Sequence, residues 1–387
     1  MTAPPRVAFV LGVATGGTAV HAAALASGCQ DEGLAVSVFA PPPTLARVAG
    51  GDADIETFPI RISERPRPAG DLATIARLRS GLARWRPDVV HAHGVRAGAF
   101  GSLATAATRR GSRPALVVTV HNAPPAGRAA RLTYGLLERI CARRADLVLC
   151  VSADLLARMR VLGAARAEQF DVPAPQAEPA SAEAVAAARA DVAAARADVG
   201  AGERPVVLTV ARLAAQKGLD VLVDAAARWR DRSPRPVTVV AGDGPLADEL
   251  RQRASQAAAD VVFLGHRRDV PALLAIASVV VLPSRWEARS LVLQEAMRSG
   301  VPVVATRAGG TPELTGEDGA LLVPPGDAAA LAAAVTAVLD DPSLAARLRL
   351  AASARAATFP SGKDAVRSAV SIYARLCSAG AGNAVQR

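Results

Sequence analysis

Two glutamates eight residues apart offer the first chemistry in this chain. They lie in Ser284-Arg285-Trp286-Glu287-Ala288-Arg289-Ser290-Leu291-Val292-Leu293-Gln294-Glu295, which continues to Gly300. The segment follows an apolar, strand-like run at Val279–Leu282. Ser290 is of the type that opens a helix and Gly300 of the type that ends one. Glu287 then falls in the loop before the helix, and Glu295 more than one turn inside it. A helix start offers free backbone N–H groups and a positive dipole end, which suits a phosphate. A carboxylate further along can accept both hydroxyls of a ribose, and one in the loop can accept sugar hydroxyls. Taken alone, the pair reads equally well as two solvated charges.

A cationic pair stands nearby in type if not in sequence. Arg212 and Lys217 sit five residues apart, just past the strand-like run 206–211 and across a turn, so both can face one site. A diphosphate leaving group needs positive charge as its bond breaks, and two fixed cations can supply what a divalent metal supplies elsewhere. Cations are common in a chain with 45 Lys and Arg, but nearly all are Arg, so a Lys at a strand end stands out.

These residues need elements to position them. Short apolar runs rich in β-branched residues recur at 7–13, 36–40, 89–91, 116–120 and 147–151, separated by longer helix-compatible stretches. That pattern reads as buried parallel strands in βαβ units. The rhythm breaks after Phe170. Pro173-Ala174-Pro175 reads as extended linker, and the Ala-rich repeat at 186–199 as an exposed helix ended by Gly200 and Gly202. It restarts with runs at 206–211, 237–241, 261–264, 279–282, 302–305 and 320–323. At roughly 100–200 residues per domain, 387 residues fit two. The expectation is two doubly wound α/β halves joined near residue 173, with ligands in the cleft beyond the strands' carboxyl ends.

Arg212 with Lys217-Gly218, Gly242-Asp243-Gly244-Pro245 and Glu287-x7-Glu295, in that order, resemble the retaining glycosyltransferases of family 4. Further landmarks are Gly16-Gly17, Asp88-Val89-Val90-His91-Ala92-His93-Gly94, Thr119-Val120-His121 and Gly309-Gly310-Thr311-Pro312-Glu313, so the resemblance covers almost the whole chain. It implies a GT-B fold, two Rossmann-like doubly wound domains facing across a cleft. Residues 1–173 would be the acceptor-side domain and 174–359 the nucleotide-sugar-binding domain. A C-terminal helix at about 360–387 would pack back on the first.

By that resemblance Arg212 and Lys217 would hold the donor's diphosphate, Glu295 its ribose, and Ser290, Leu291 and Val292 a phosphate. Glu287 would face the transferred sugar, and His121 would sit at the reacting centre. Gly16 and Gly17 would let the N-terminal loop approach donor and acceptor, and Arg267 would lie in the loop that meets the base. The implied reaction moves a hexose-type sugar from a nucleotide-diphosphate donor to a hydroxyl of a small-molecule or lipid-linked acceptor, without metal or cofactor, as in glycoconjugate or cell-envelope biosynthesis. The alternatives are a catalytically degenerate nucleotide-sugar-binding protein and a nucleotide-sugar epimerase. Ala288 and Arg289, the Pro-Ala-Pro linker and Ala211 depart from the family's usual residues.

The remaining features set bounds. Gly242-x-Gly244-x-x-Ala247 also matches a dinucleotide fingerprint, with Asp260 near the distance of a ribose acid, but alone that motif is weak. His91 and His93 are expected to diverge to opposite faces, which disfavours a metal pair. His21 is placed near a helix start, and His121 is the one histidine assigned to the chemistry. Cys29, Cys141, Cys150 and Cys377 form no C-x-x-C pair, which argues for a reduced, cytoplasmic setting. No run of about 18 apolar residues suggests a spanning helix. The net charge of +10 comes without a dense basic block or interleaved aromatics, which argues against nucleic acid but leaves open peripheral contact with the anionic inner face of a membrane.

Overall fold

The computed structural model describes residues 4–14, 16–50, 55–63, 67–106, 113–124, 127–194 and 204–385. The chain divides into two compact units, 1–173 with 360–387, and 174–359. The first contains β1 (Arg6–Leu11), α1 (Gly17–Asp31), β2 (Ala35–Ala40), α2 (Pro42–Val48), β3 (Glu56–Pro59), α3 (Pro68–Trp85), β4 (Val89–His93), α4 (Val95–Thr105), β5 (Ala115–Val120), α5 (Arg128–Arg144), β6 (Leu147–Cys150), α6 (Ala153–Val161) and β7 (Ala167–Gln169). The second contains α7 (Ala182–Ala194), β8 (Val206–Val210), α8 (Leu219–Ala227), β9 (Val237–Ala241), α9 (Ala247–Gln256), β10 (Val261–Gly265), α10 (Val270–Ile276), β11 (Val279–Leu282), α11 (Leu291–Arg298), β12 (Val303–Thr306), α12 (Thr311–Thr315), β13 (Leu321–Val323), α13 (Ala328–Asp340) and α14 (Pro342–Ala356). The last helix, α15 (Gly362–Val385), belongs to the first unit.

Each unit is built on a parallel sheet, in the order β3-β2-β1-β4-β5-β6-β7 and β10-β9-β8-β11-β12-β13. Helices cover both faces of the second sheet, and the strand sequences show why. Leu208, Val239, Val280 and Leu282 join one core with α7, α10, α11 and α14, whereas their neighbours Val207, Val240, Val279 and Val281 join another with α8, α9 and α13. Alternate side chains leave opposite faces, so a strand covered on both sides must be apolar throughout.

Two strands carry no apolar run. The edge strands β3 (Glu-Thr-Phe-Pro) and β7 (Ala-Glu-Gln) are largely exposed, so they need no hydrophobic signature. The Ala-rich helix is corrected in one respect. Within its described part, Ala188 and Val192 are buried against the second core, and α7 packs on α10, so it is docked rather than exposed. Alanines hide this because they make a thin apolar stripe with little contrast. Residues 195–203, with Gly200 and Gly202, lie outside the described residues.

The helix α15 inserts Ala365, Val366, Ala369, Ile372 and Tyr373 into the core that also holds the buried face of α1. Tyr373 is fully buried and its hydroxyl lies 2.6 Å from Nδ1 of His91 on β4. Replacing it with Ala should destabilise this unit by roughly 3–5 kcal/mol, the usual range for losing a buried large ring. Tyr373→Phe, which removes only the hydroxyl, should cost about 1 kcal/mol. Native-state amide exchange in β1 and β4 measures both, and a Tyr373→Phe variant with unchanged protection would remove the hydroxyl from the account.

Candidate functional site

Each sheet reverses its strand order once, between β1 and β4 in the first unit and between β8 and β11 in the second. Loops leaving the carboxyl ends of such strands depart to opposite faces and open a crevice, the ligand position of doubly wound folds.

At the β8/β11 point two loops are bound together. The loop after β8 carries Arg212, turns through a short 3₁₀ segment at Ala215–Lys217 and enters α8 at Gly218. The loop after β11 carries Ser284 to Ser290, whose Oγ accepts the Leu293 N–H and caps α11. The Arg285 N–H donates to the Gln216 carbonyl at 2.8 Å, the Gln216 side-chain amide donates to the Trp286 carbonyl at 2.9 Å, and the Arg285 guanidinium meets Asp220 at 2.5 Å. Gly218 has φ +63, and a Cβ there would sit 2.1 Å from the Pro283 carbonyl oxygen. Gly309, after β12, closes in from the other side: its Cβ would lie 2.0 Å from the Glu287 carbonyl oxygen, which accepts the Gly310 N–H at 2.8 Å. Only glycine permits these approaches.

The packing brings Lys217 and Glu287 together. The Glu287 side chain is buried, and its Oε1 accepts from Lys217 Nζ at 2.5 Å and from Ser284 Oγ at 2.7 Å. An ammonium has three N–H donors, so two remain for a ligand. Arg212 is exposed, and its guanidinium has no partner among the described residues. In the same loop system, α11 starts with Leu291 and Val292, whose N–H groups have no acceptor within the helix. Glu295 follows in the second turn. Its carboxyl is raised above the ordinary value of 4.5 by burial, partly opposed by Arg298. The linker is gripped by this helix: Gln294 Oε1 accepts the Ala174 N–H at 3.0 Å, and Arg298 donates to the Ala174 carbonyl at 2.9 Å.

Other expectations move. Arg267, expected in the loop that meets the base, has its guanidinium forked onto Asp269 at 2.8 and 2.6 Å and bonded to Asp191 of α7 at 2.6 Å. It ties the loop after β10 to α7. The Gly242–Gly244 turn buttresses the Arg212 loop, with the Leu213 N–H on the Asp243 carbonyl at 3.0 Å and the Leu246 N–H on the Leu213 carbonyl at 3.1 Å. Asp260 precedes β10, at the amino edge of the sheet, and pairs with Arg204. It therefore lies at the opposite edge from Gly242 and cannot serve as that loop's ribose acid.

In the first unit, Gly16 and Gly17 are exposed at the start of α1, Gly16 with φ +57. His121, directly after β5, belongs to a cluster that the sequence reading missed. His91 and His93 do not diverge; residues two apart on a strand share a face, and their ring centroids are 4.3 Å apart. His93 Nδ1 is 3.1 Å from His121 Nε2, and His21 of α1 lies edge-on to both rings, 5.7 Å away in each case. The readable signal was that four of five histidines fall in the first unit near sheet ends. Burial keeps all four neutral, pushing His91 down to about 3 and His121 to about 4 from the usual 6.5. Among the described residues, no group of three or more His, Cys, Asp or Glu is placed to hold a metal ion. Nor is any single described helix long and apolar enough to cross a membrane.

Residues 16–170 match the family model described as glycosyl transferase 4-like domain, and residues 204–341 the one described as glycosyl transferases group 1. An α-D-kanosaminyltransferase of Streptomyces kanamyceticus is 35% identical over 174 residues, 43% of this chain and 44% of that protein. A sulfoquinovosyl transferase of Arabidopsis thaliana is 32% identical over 256 residues, 64% of this chain and 48% of that protein. The chain thus spans about half the length of these curated relatives. Among solved structures, the Anabaena protein HepE in complex with UDP and glucose superposes with a TM-score of 0.79 at 22% identity, covering 96% of this chain and 99% of that one. A sucrose-phosphate synthase of Thermosynechococcus elongatus gives 0.76 at 21% identity, covering 97% and 100%. With the two parallel sheets, these neighbours show the GT-B fold.

Two expectations follow from the burial of these groups. The four histidines bind protons on unfolding, because their folded pKa values are depressed. Stability of the first unit should be full above pH 6.5 and fall as pH drops below it toward 4. An acid titration of unfolding that stays flat until carboxylates protonate would contradict this. Glu295 has the opposite sign: its raised folded pKa means that its charge costs stability above the ordinary glutamate range. Glu295→Gln should therefore raise the melting temperature of the ligand-free protein at neutral pH and leave it unchanged in acid, as calorimetry at the two pH values would show.

Proposed function

We propose that this chain, which carries a glycosyl transferase 4-like domain and a glycosyl transferases group 1 domain on a GT-B fold, is a retaining glycosyltransferase of family 4. In this reading it moves a hexose-type sugar from a nucleotide-diphosphate donor to a hydroxyl acceptor and uses no metal ion. The supporting observation is the switch-point pair in the second unit: an ammonium anchored on a buried carboxylate with two N–H donors to spare, and, in the same loop, an exposed guanidinium without a partner among the described residues. The neighbour crystallised with UDP and glucose, and a further HepE complex with UDP-glucose, support a nucleotide sugar as donor.

The chemistry assigns each group a task. The bond from the sugar's anomeric carbon to the diphosphate oxygen breaks, and its electron pair stays on the diphosphate. Lys217 and Arg212 neutralise that charge as it develops, which is where fixed cations act on rate. The acceptor oxygen forms the new bond on the same face, and its proton passes to the departing phosphate oxygen. Glu287 orients Lys217 and accepts sugar hydroxyls, Glu295 accepts the ribose hydroxyls, and the N–H groups of Leu291 and Val292 behind Ser290 meet a phosphate. His121, with Gly16 and Gly17, is the first unit's contribution to the reacting groups. The acceptor is a small molecule or a lipid-linked one. The second kind would draw the basic chain to an anionic membrane surface.

Lys217→Ala should lower kcat by about 10²–10³ while leaving the fold intact. The assay is transfer or donor hydrolysis with a nucleotide sugar first shown by thermal shift to bind. Unchanged turnover would remove Lys217, and with it this reading of the site.

A further inference from the structure

His121 is held by another histidine rather than by an acid. His93 Nδ1 lies 3.1 Å from His121 Nε2, the two rings are stacked at 5.4 Å, and both are buried. The groups facing this pair are His91 on β4, His21 on α1 and, beyond His91, Tyr373 on α15. Among the described residues, no carboxylate or cation acts on either ring. Two neutral imidazoles share one hydrogen in such a bond, so two arrangements are possible.

In the first, His121 Nε2–H donates to His93 Nδ1. His93 must then carry its own hydrogen on Nε2, which is buried without a hydrogen-bond partner. In the second, His93 Nδ1–H donates to His121 Nε2, and the buried His93 Nε2 is a bare lone pair. A buried N–H without an acceptor is rarer in folded proteins than an underused acceptor. His21 offers no relief, since its own Nε2 is also buried and unpartnered. The second arrangement is the better satisfied. It places the hydrogen of His121 on Nδ1, which has no partner among the described residues.

We propose that His93 is a positioning residue that locks His121 in its Nδ1–H tautomer, so that His121 meets the reacting groups as a hydrogen-bond donor and not as a base. The ring cannot take a proton at Nδ1, which already holds one, or at Nε2, which is covered by His93. His121 therefore donates to an oxygen of the sugar or acceptor, consistent with the acceptor's proton leaving on phosphate. The inference rests on the transferase reading for what His121 touches, but the tautomer itself does not depend on it. A bonded partner at one ring nitrogen setting the state of the other is the ordinary way in which histidine tautomers are fixed.

The test is long-range proton–nitrogen correlation of the histidine rings in the full-length, isotope-labelled protein at neutral pH. The expected result is a protonated Nδ1 and a bare Nε2 on both His93 and His121. A protonated Nε2 on His121 in the wild type overturns the proposal, whether or not the protein transfers a sugar. In His93→Asn, whose amide can still donate, His121 should keep its tautomer; in His93→Phe the lock is lost and the Nε2–H form should become populated beside the Nδ1–H form. With a working donor assay, His93→Phe should lower kcat roughly 10- to 100-fold, the range for losing a partner that orients a functional ring, with donor KM little changed and His93→Asn restoring most of the loss. Equal loss in both variants assigns His93 to packing alone. An inactive wild type showing the expected tautomers would refute the transferase reading and leave the lock standing.

Discussion

A buried carboxylate can steady an ammonium only if the backbone carrying both stays in register. Here the loop after β8 and the loop after β11 are joined by a main-chain bond and by the Gln216 side chain, and two glycines press against the carbonyls of Pro283 and Glu287 at distances that exclude any side chain. Were either loop to shift, Lys217 would leave Glu287 with a desolvated charge and no cation, a far larger penalty than losing an exposed ion pair. The switch-point geometry, the Ser290 cap and the Gly310 contact all serve to keep that pair fixed at the sheet's carboxyl edge. The Gly242–Gly244 turn extends the same support to Arg212.

What was legible in the sequence follows from what each feature has to do. Central strands such as β8, β9 and β11 are buried on both faces, so their apolar runs announce them and the parallel sheet with them. The edge strands β3 and β7 are wet and carry no such mark. The segment from Glu287 to Glu295 could be placed because its chemistry is tied to a local frame, a loop followed by a capped helix. That Lys217 would reach Glu287 was not legible, because it depends on the pairing of β8 with β11 across 70 residues of chain. The pairing of Arg267 with α7 was not legible for the same reason: Asp269 lies beside it in sequence, but Asp191 does not. The histidine cluster was missed through a wrong assignment of strand faces.

Several of these groups work against the fold that carries them. Glu295 keeps a charge in a site that penalises it, and four imidazoles remain buried and neutral in the first unit. A core built for stability alone would use apolar side chains at these positions. Groups retained at such cost, near the carboxyl edges of two sheets, are candidates for binding and chemistry. The two units differ: the second carries cations at its switch point, and the first carries buried, uncharged rings.

The choice of lysine at 217 follows from the same economy of donors. Several arginines that meet carboxylates elsewhere in this chain fork onto them: Arg158 binds Glu138 at 2.7 and 2.6 Å, and Arg253 binds Asp224 at 2.8 and 2.6 Å. An Arg at 217 could engage both oxygens of Glu287 in that way, fixing its plane and directing most of its donors at one partner. A lysine meets Glu287 with one N–H and can turn the other two toward a second anion. In a chain whose cations are almost all arginine, a position where one cation meets a resident carboxylate and, in the proposed reading, an incoming diphosphate is one where a compact, rotatable charge is the better fit.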